Sequence, residues 1–249
     1  MSWRRAVGSS EVEERSAISP FGTRLPMLEV HSMGLVSYQA ALETQRALVT
    51  ARQAGKTPDQ LLLLQHPAVI TVGVSGRSQP DHVLASPAEL HDHDIEVLEV
   101  PRGGDVTYHG PGQLVGYPII DLRPDRCDVH QYVRDLEEVL IRVVASFGIE
   151  ARRRTGLTGV WVGDYKLAAI GVRLSRWVAS HGFALNVTTN LEHFRFIVPC
   201  GLVGAGVTSL EHLLESVPSW DEIEAAVSEE FARVFGRRLP TASLGRVGH

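Results

Sequence analysis

Residues 102–122 read RGGDVTYHGPGQLVGYPIIDL, and the fold turns on how this stretch is divided. Its second half, from Gln113, is an almost unbroken apolar run of strand length bounded by turn residues, which predicts a buried strand. Its first half carries Gly103, Gly104, Gly110 and Gly112. Glycines weaken any regular element they interrupt, but they permit unusual backbone angles and close approach by another molecule. Gly110-Pro111-Gly112 marks a sharp turn. The apolar residues of IEVLEV, 95–100, predict another strand just upstream. The segment therefore reads as strand, glycine-rich loop, strand, and the loop is either a sharp turn with a bulge or a place where another molecule approaches the backbone closely.

Outward from this centre the chain mixes strands and helices without a repeat. MLEVH (27–31), LLLLQH (61–66) and AVITVG (68–73) read as strands, with Pro67 in a tight connection. A helix is predicted from about Leu35 to Ala54, with Leu35, Tyr38, Leu42 and Val49 on one face and Gly55 as its stop. Ser86-Pro87-Ala88-Glu89 has capping-box spacing with proline at the first helical position. Asp128 opens a long helix ending near Phe147 and Gly148. TGVWV (158–162) and YKLAAIGVRL (165–174) flank Gly163-Asp164 as a hairpin, HGFALNV (181–187) is a further strand, and Ser219 to Glu222 caps a last helix ending at Gly236. Strands in groups separated by a few helices predict an α+β domain in which helices layer on a mixed sheet. Residues 1–25 lack periodicity and read as a flexible tail, leaving 26–249 as a single domain.

The 249 residues carry a formal charge of -5, which argues against a general nucleic-acid or membrane binder. No stretch approaches the roughly 18 apolar residues of a membrane span, and no signal core opens the chain, so a cytoplasmic location is expected. Cys127 and Cys200 are too few for a disulfide framework.

Cys200 lies between Pro199 and Gly201, off any periodic apolar face, and is a candidate nucleophile; the alternative is a small buried hydrophobe. With an ordinary pKa near 8.5, about 3 % of a free thiol is ionised at pH 7, so a nucleophilic Cys200 needs a nearby cation. Lys166, the only lysine after Lys56, enters an apolar strand. It either points outward at a strand edge or is partly desolvated and able to exchange protons with a thiol or an amine. His109, with Gly110 beside it, is either an exposed ring that orients a substrate, a turn-capping histidine or a satisfied buried one. No HExxH or CxxC spacing predicts a metal, and GLVGAG (201–206) lacks the Gly-Lys-Ser/Thr ending of a phosphate loop.

Four separated segments, RGGDVTYHGPGQLVGYPIIDL, GDYKLAAIGVRL, SHGFALNV and VPCGLVGAGVTSL, occur here in the order found in the lipoyl(octanoyl) transferase family, and the chain resembles that family over roughly residues 27–236. The resemblance implies the α+β fold shared by biotin- and lipoate-protein ligases. It implies transfer of an octanoyl group from acyl carrier protein to a lysine of lipoyl domains, in 2-oxoacid dehydrogenase complexes and the glycine cleavage H protein, with no cofactor, metal, nucleic acid or membrane. Cys200 is then the thioester-forming nucleophile and Lys166 the group that lowers its pKa. Arg102, Gly103, Gly104, Asp105, Val106, Thr107, Tyr108 and His109 line the acyl pocket with Ala169, Ile170, Gly171, Gly182, Phe183 and Ala184. Arg152 to Arg154, Arg173 and Arg176 are expected to receive an acidic carrier protein. Three alternatives remain: an ATP-dependent lipoate ligase, which would not need Cys200; a noncatalytic carrier-protein or lipid-binding module; and a cysteine hydrolase releasing free octanoate.

Overall fold

The computed structural model describes residues 25–124, 126–198 and 206–240. Ten strands and β11 form two sheets. The larger has the order β1 (Leu28–Leu35), β2 (Asp59–Gln65), β6 (Gln113–Ile119), β10 (Val178–Asn186), β9 (Tyr165–Ser175), β8 (Leu157–Val162) and β7 (Arg152–Arg154), with the short β11 (Gly206–Val207) parallel to the start of β9. The smaller places β3 (Val69–Val72) between β4 (Glu96–Glu99) and β5 (Val106–His109). The expected α+β class is therefore present, with the strands divided between two sheets. The division falls at His66-Pro67, where the chain leaves β2 and β3 pairs with Glu96–Glu99 and Val106–His109 instead.

The run Leu61–Leu64 explains the layering. Leu61 and Leu63 join the core formed with α3 (Val129–Ser146) and α5 (Trp220–Phe235), whereas Leu62 and Leu64 pack on the opposite face with Ala41 of α1 (Tyr38–Gln53). A strand covered on both faces needs no apolar–polar alternation, which is why four leucines stand in a row. The small sheet has its own core, in which Ile70, Val106 and Tyr108 meet Phe194, Phe196 and Leu90 of α2 (Pro87–Asp92).

The helix signals act as their chemistry requires. Both Ser86/Glu89 and Ser219/Glu222 form reciprocal capping boxes, and Asp128 accepts from the backbone N–H groups of His130 and Gln131. The first helix starts later than its periodicity suggests. Leu35 is the last residue of β1, paired with Gln65, and is 62 % exposed; Ser37 caps the helix through Ala40, and its buried face is Tyr38, Ala41, Leu42 and Gln45. A one-turn helix, α4 (Leu210–Leu213), capped by Ser209, follows β11 and was not predicted.

The Gly110-Pro111-Gly112 turn docks β5 against the exit of β10. The Gly112 carbonyl accepts from the N–H groups of Val187 and Thr188, and with φ +82 a Cβ at this position would sit 2.5 Å from the Thr188 carbonyl oxygen. The glycine is thus required by both backbone angle and space.

Candidate active site

The β9–β10 hairpin, the middle of β6, the N-terminus of α1, the loop 102–105 and β5 border a cleft of about 440 Å³, including the solvent at its opening. Its wall includes Arg102, Gly104, Asp105, Val106, Thr107, His109, Ala169, Ile170, Gly171, Gly182, Phe183 and Ala184. Gly103 and Tyr108 are absent from it. Gly103 donates its N–H to the Val172 carbonyl at 2.8 Å, tying the loop to β9, and Tyr108 points away into the small-sheet core, where its hydroxyl meets His193 Nδ1 at 2.8 Å. Strand alternation sends Thr107 and His109 to the cleft and Tyr108 to the opposite side.

Close approach at Gly171 sets the floor. A Cβ there would lie 3.0 Å from the Gly103 carbonyl oxygen and 3.2 Å from Arg102 Cδ. Arg102 is buried and clamps the loop from within: its guanidinium donates to the Thr71 carbonyl at 2.7 Å, to Thr71 Oγ1 at 2.8 Å and to the Gly103 carbonyl at 3.0 Å.

Three wall residues were not singled out from the sequence: Tyr38, Tyr117 and His181. With His66 and His109 they form a cluster of rings, with centroid separations of 4.9 Å for Tyr38–His66, 5.7 Å for His66–His109 and 6.1 Å for Tyr117–His181. Burial keeps them uncharged. It lowers the pKa of His66 to about 4 and, with the positive field of Arg102, Arg173 and Arg46, that of His181 to about 3; it raises Tyr38 and Tyr117. Tyr117 and His181 lay within the quoted motifs, so their segments carried the signal. Tyr38 carried none, because only the packing of α1 on the sheet brings it to the cleft.

His109 is buried, which decides between the readings the sequence left open. Its Nδ1 lies 2.7 Å from Gln113 Oε1. Gln113 Nε2 donates to the Tyr108 carbonyl at 3.2 Å and to Asn186 Oδ1 at 2.9 Å, so its oxygen faces the histidine and the histidine proton sits on Nδ1. Desolvation holds His109 well below the ordinary histidine range, leaving a neutral ring with a lone pair on Nε2. The chain of bonds continues: Asn186 Nδ2 donates to the Thr208 carbonyl at 3.0 Å, and the Thr208 N–H donates to the Lys166 carbonyl at 3.0 Å.

Lys166 stands at the far end of this network. It is 7 % exposed, with Nζ 4.9 Å from the centre of the Trp161 ring, so its side chain does not point outward at an edge. Cys200 lies outside the described residues. The chain before it is held where the Val198 N–H donates to the His82 carbonyl at 2.8 Å, and the chain after it where Gly206 and Val207 pair with Tyr165 and Lys166.

The expected docking arginines are partly engaged. Arg153 bonds Glu137 and Glu138 on α3, Arg154 lies 3.5 Å from Asp164 and over Trp161, and Arg176 donates to Gln53. No described helix is long and apolar enough to cross a membrane.

A mixed sheet with helices on both faces, carrying a cleft where β6, β9 and β10 meet the loop before β5, defines an α+β domain of two layered sheets. The chain belongs to the lipoyl protein ligase A/B catalytic domain family, which it matches over residues 37–232. An octanoyltransferase of Solibacter usitatus is 51 % identical over 216 residues, covering 86 % of this chain and 96 % of the relative. A bipartite lipoate protein ligase from Thermoplasma acidophilum superposes with a TM-score of 0.63 at 14 % identity, covering 89 % of this chain and 88 % of that one. A biotin protein ligase from Aquifex aeolicus reaches 0.51 at 12 % identity over 84 % and 70 %. The fold is the one shared by lipoate- and biotin-protein ligases.

Proposed function

We propose that this protein transfers an octanoyl group from acyl carrier protein to a lysine of lipoyl domains, through a thioester on Cys200. The observation that carries the reading is the cleft on β9 and β10, walled mainly by main chain and uncharged rings, in a chain 51 % identical to an octanoyltransferase; Lys166 is buried three residues before Ala169 on the same strand. In the first step the Cys200 thiolate attacks the donor's thioester carbonyl and the pantetheine thiolate leaves, taking up a proton. In the second, the acceptor amine attacks the acyl-enzyme, loses a proton and expels the Cys200 thiolate. Amide formation from a thioester runs downhill, so neither ATP nor a metal takes part. Lys166 accepts the thiol proton and returns it. Burial of six methylenes at about 0.8 kcal/mol each contributes roughly 5 kcal/mol to holding the acyl chain. The donor, the acceptor domains and a cytoplasmic site of action belong to this same reading.

The test is intact mass spectrometry after mixing the protein, or its Cys200→Ser variant, with octanoyl-carrier protein without ATP, followed by a lipoyl domain. One octanoyl adduct on the wild type alone, passing to the lipoyl domain, is the expected result. Transfer only with ATP and free octanoate would instead make the chain a ligase.

A further inference from the structure

A second cleft of about 690 Å³, counted to its mouth, opens between the C-terminal half of α1 and the ends of β9 and β10. It lies at Arg173, about 23 Å along β9 from Lys166 at 3.3 Å per residue, so it is remote from the lysine end of the first cleft. Arg46 of α1 and Arg173 of β9 border it, and no carboxylate lines it. Neither guanidinium is ion-paired among the described residues. Gln45, 2 % exposed, lines the same cleft. Its Oε1 accepts the His181 N–H at 2.7 Å, which fixes the amide and leaves Nε2 as a buried donor without a partner. Two unneutralised cations and an oriented, unsatisfied donor on residues that line one concavity match the needs of an oxyanion, which offers several lone pairs and negative charge. Ser180, also buried, adds a hydroxyl to the same wall.

We propose that this second cleft binds an oxyanion, either phosphate or the carboxylate of a medium-chain fatty acid, between Arg46 and Arg173 with Gln45 Nε2 as a third donor. His181 lines both clefts. A fatty acid whose head sits on the arginines would bring its tail against His181, the same ring that an acyl chain in the first cleft would touch. Only this tail argument rests on the function proposed above; the oxyanion site stands on its own residues.

The experiment titrates the full chain with inorganic phosphate and, separately, with octanoate at constant ionic strength, following heat of binding and the Gln45 side-chain amide resonance. The comparison is the Arg46→Ala/Arg173→Ala double variant, whose two positions are exposed. Saturable binding that moves the Gln45 resonance and weakens at least tenfold in the double variant is expected. Octanoate binding tighter than phosphate assigns the occupant as a fatty acid; equal affinities assign a small anion, and both outcomes support the site. Unchanged affinity in the double variant, or an equal response to chloride, overturns it. Acyl transfer by the wild type is measured separately, so failure of that reaction is told apart from failure of this site.

Discussion

Replacing Asn186 with alanine tests whether the bond chain from His109 to the Lys166 backbone organises the site. Asn186 is 4 % exposed and makes two bonds, accepting from Gln113 Nε2 at 2.9 Å and donating to the Thr208 carbonyl at 3.0 Å. Gln113 Nε2 keeps its second acceptor, the Tyr108 carbonyl, so that side loses about 0.5–1.5 kcal/mol; the Thr208 carbonyl loses its side-chain donor inside the protein, at about 1–3 kcal/mol. Together these predict a destabilisation of about 2–4 kcal/mol, or roughly 4–16 °C in Tm for a chain of this size. Urea unfolding measures the first quantity and calorimetry the second. Asn186→Asp restores the acceptor but not the donor, and an ionised carboxylate repels the Thr208 carbonyl, so it should not rescue. Octanoyl transfer should lose kcat more than KM, because the segment paired with Lys166 shifts while the acyl wall stays. A loss of stability below about 0.5 kcal/mol, or full rescue by aspartate, would refute the reasoning.

Chain length should respond to the cleft wall. Ala184→Leu adds three carbons to a wall position, and hexanoyl should then be favoured over octanoyl by about 15-fold relative to wild type, at about 0.8 kcal/mol for each of two excluded methylenes, read as kcat/KM with the two donors. Lys166→Ala should lower the rate of acyl-enzyme formation by about 100-fold or more, followed by rapid-quench mass spectrometry, with folding checked by circular dichroism. Stability should fall with acid. His66 and His181 have folded pKa values of about 4 and about 3 against an ordinary 6.5, so the unfolded chain binds more protons below pH 6.5. The contribution is complete above pH 6.5 and drops by about 2 kcal/mol for each ring by pH 5; a flat urea midpoint between pH 7 and 5 would contradict this.

Local chemistry explains what was legible in the sequence. Ser86/Glu89, Asp128 and Ser219/Glu222 act within one helical turn, so their effect is written in consecutive residues. Gly163-Asp164 likewise carries its hairpin alone, joining Val162 to Tyr165. Twelve of the fourteen residues expected around the acyl chain meet at one cleft because they belong to neighbouring strands and the loop beside them. What escaped depends on packing between distant elements. Tyr38 reaches the cleft only because α1 lies across β6 and β10, and the burial of His109 depends on Gln113, which the strand reading treated as an ordinary strand residue. The division into two sheets was hidden for a similar reason, since AVITVG reads the same whichever partner it pairs with. The arginine run 152–154 looked like free charge because Glu137 and Glu138 lie on another element, α3.

In the proposed acyl transfer, the wall at Gly171 makes chain-length specificity asymmetric under mutation. Where main chain already forms the floor, no side chain remains to be trimmed, and the nearest atoms are the Gly103 carbonyl and the Arg102 stem. Any single substitution at this position can only add bulk. A lineage can therefore drift toward shorter acyl groups in one step, whereas accommodating a longer one requires cutting back a ring at Tyr38, Tyr117 or His181, each of which also serves a polar contact or its neighbour's packing. Selection experiments on this scaffold should accordingly recover short-chain variants often and long-chain variants rarely, with the latter clustered among the rings.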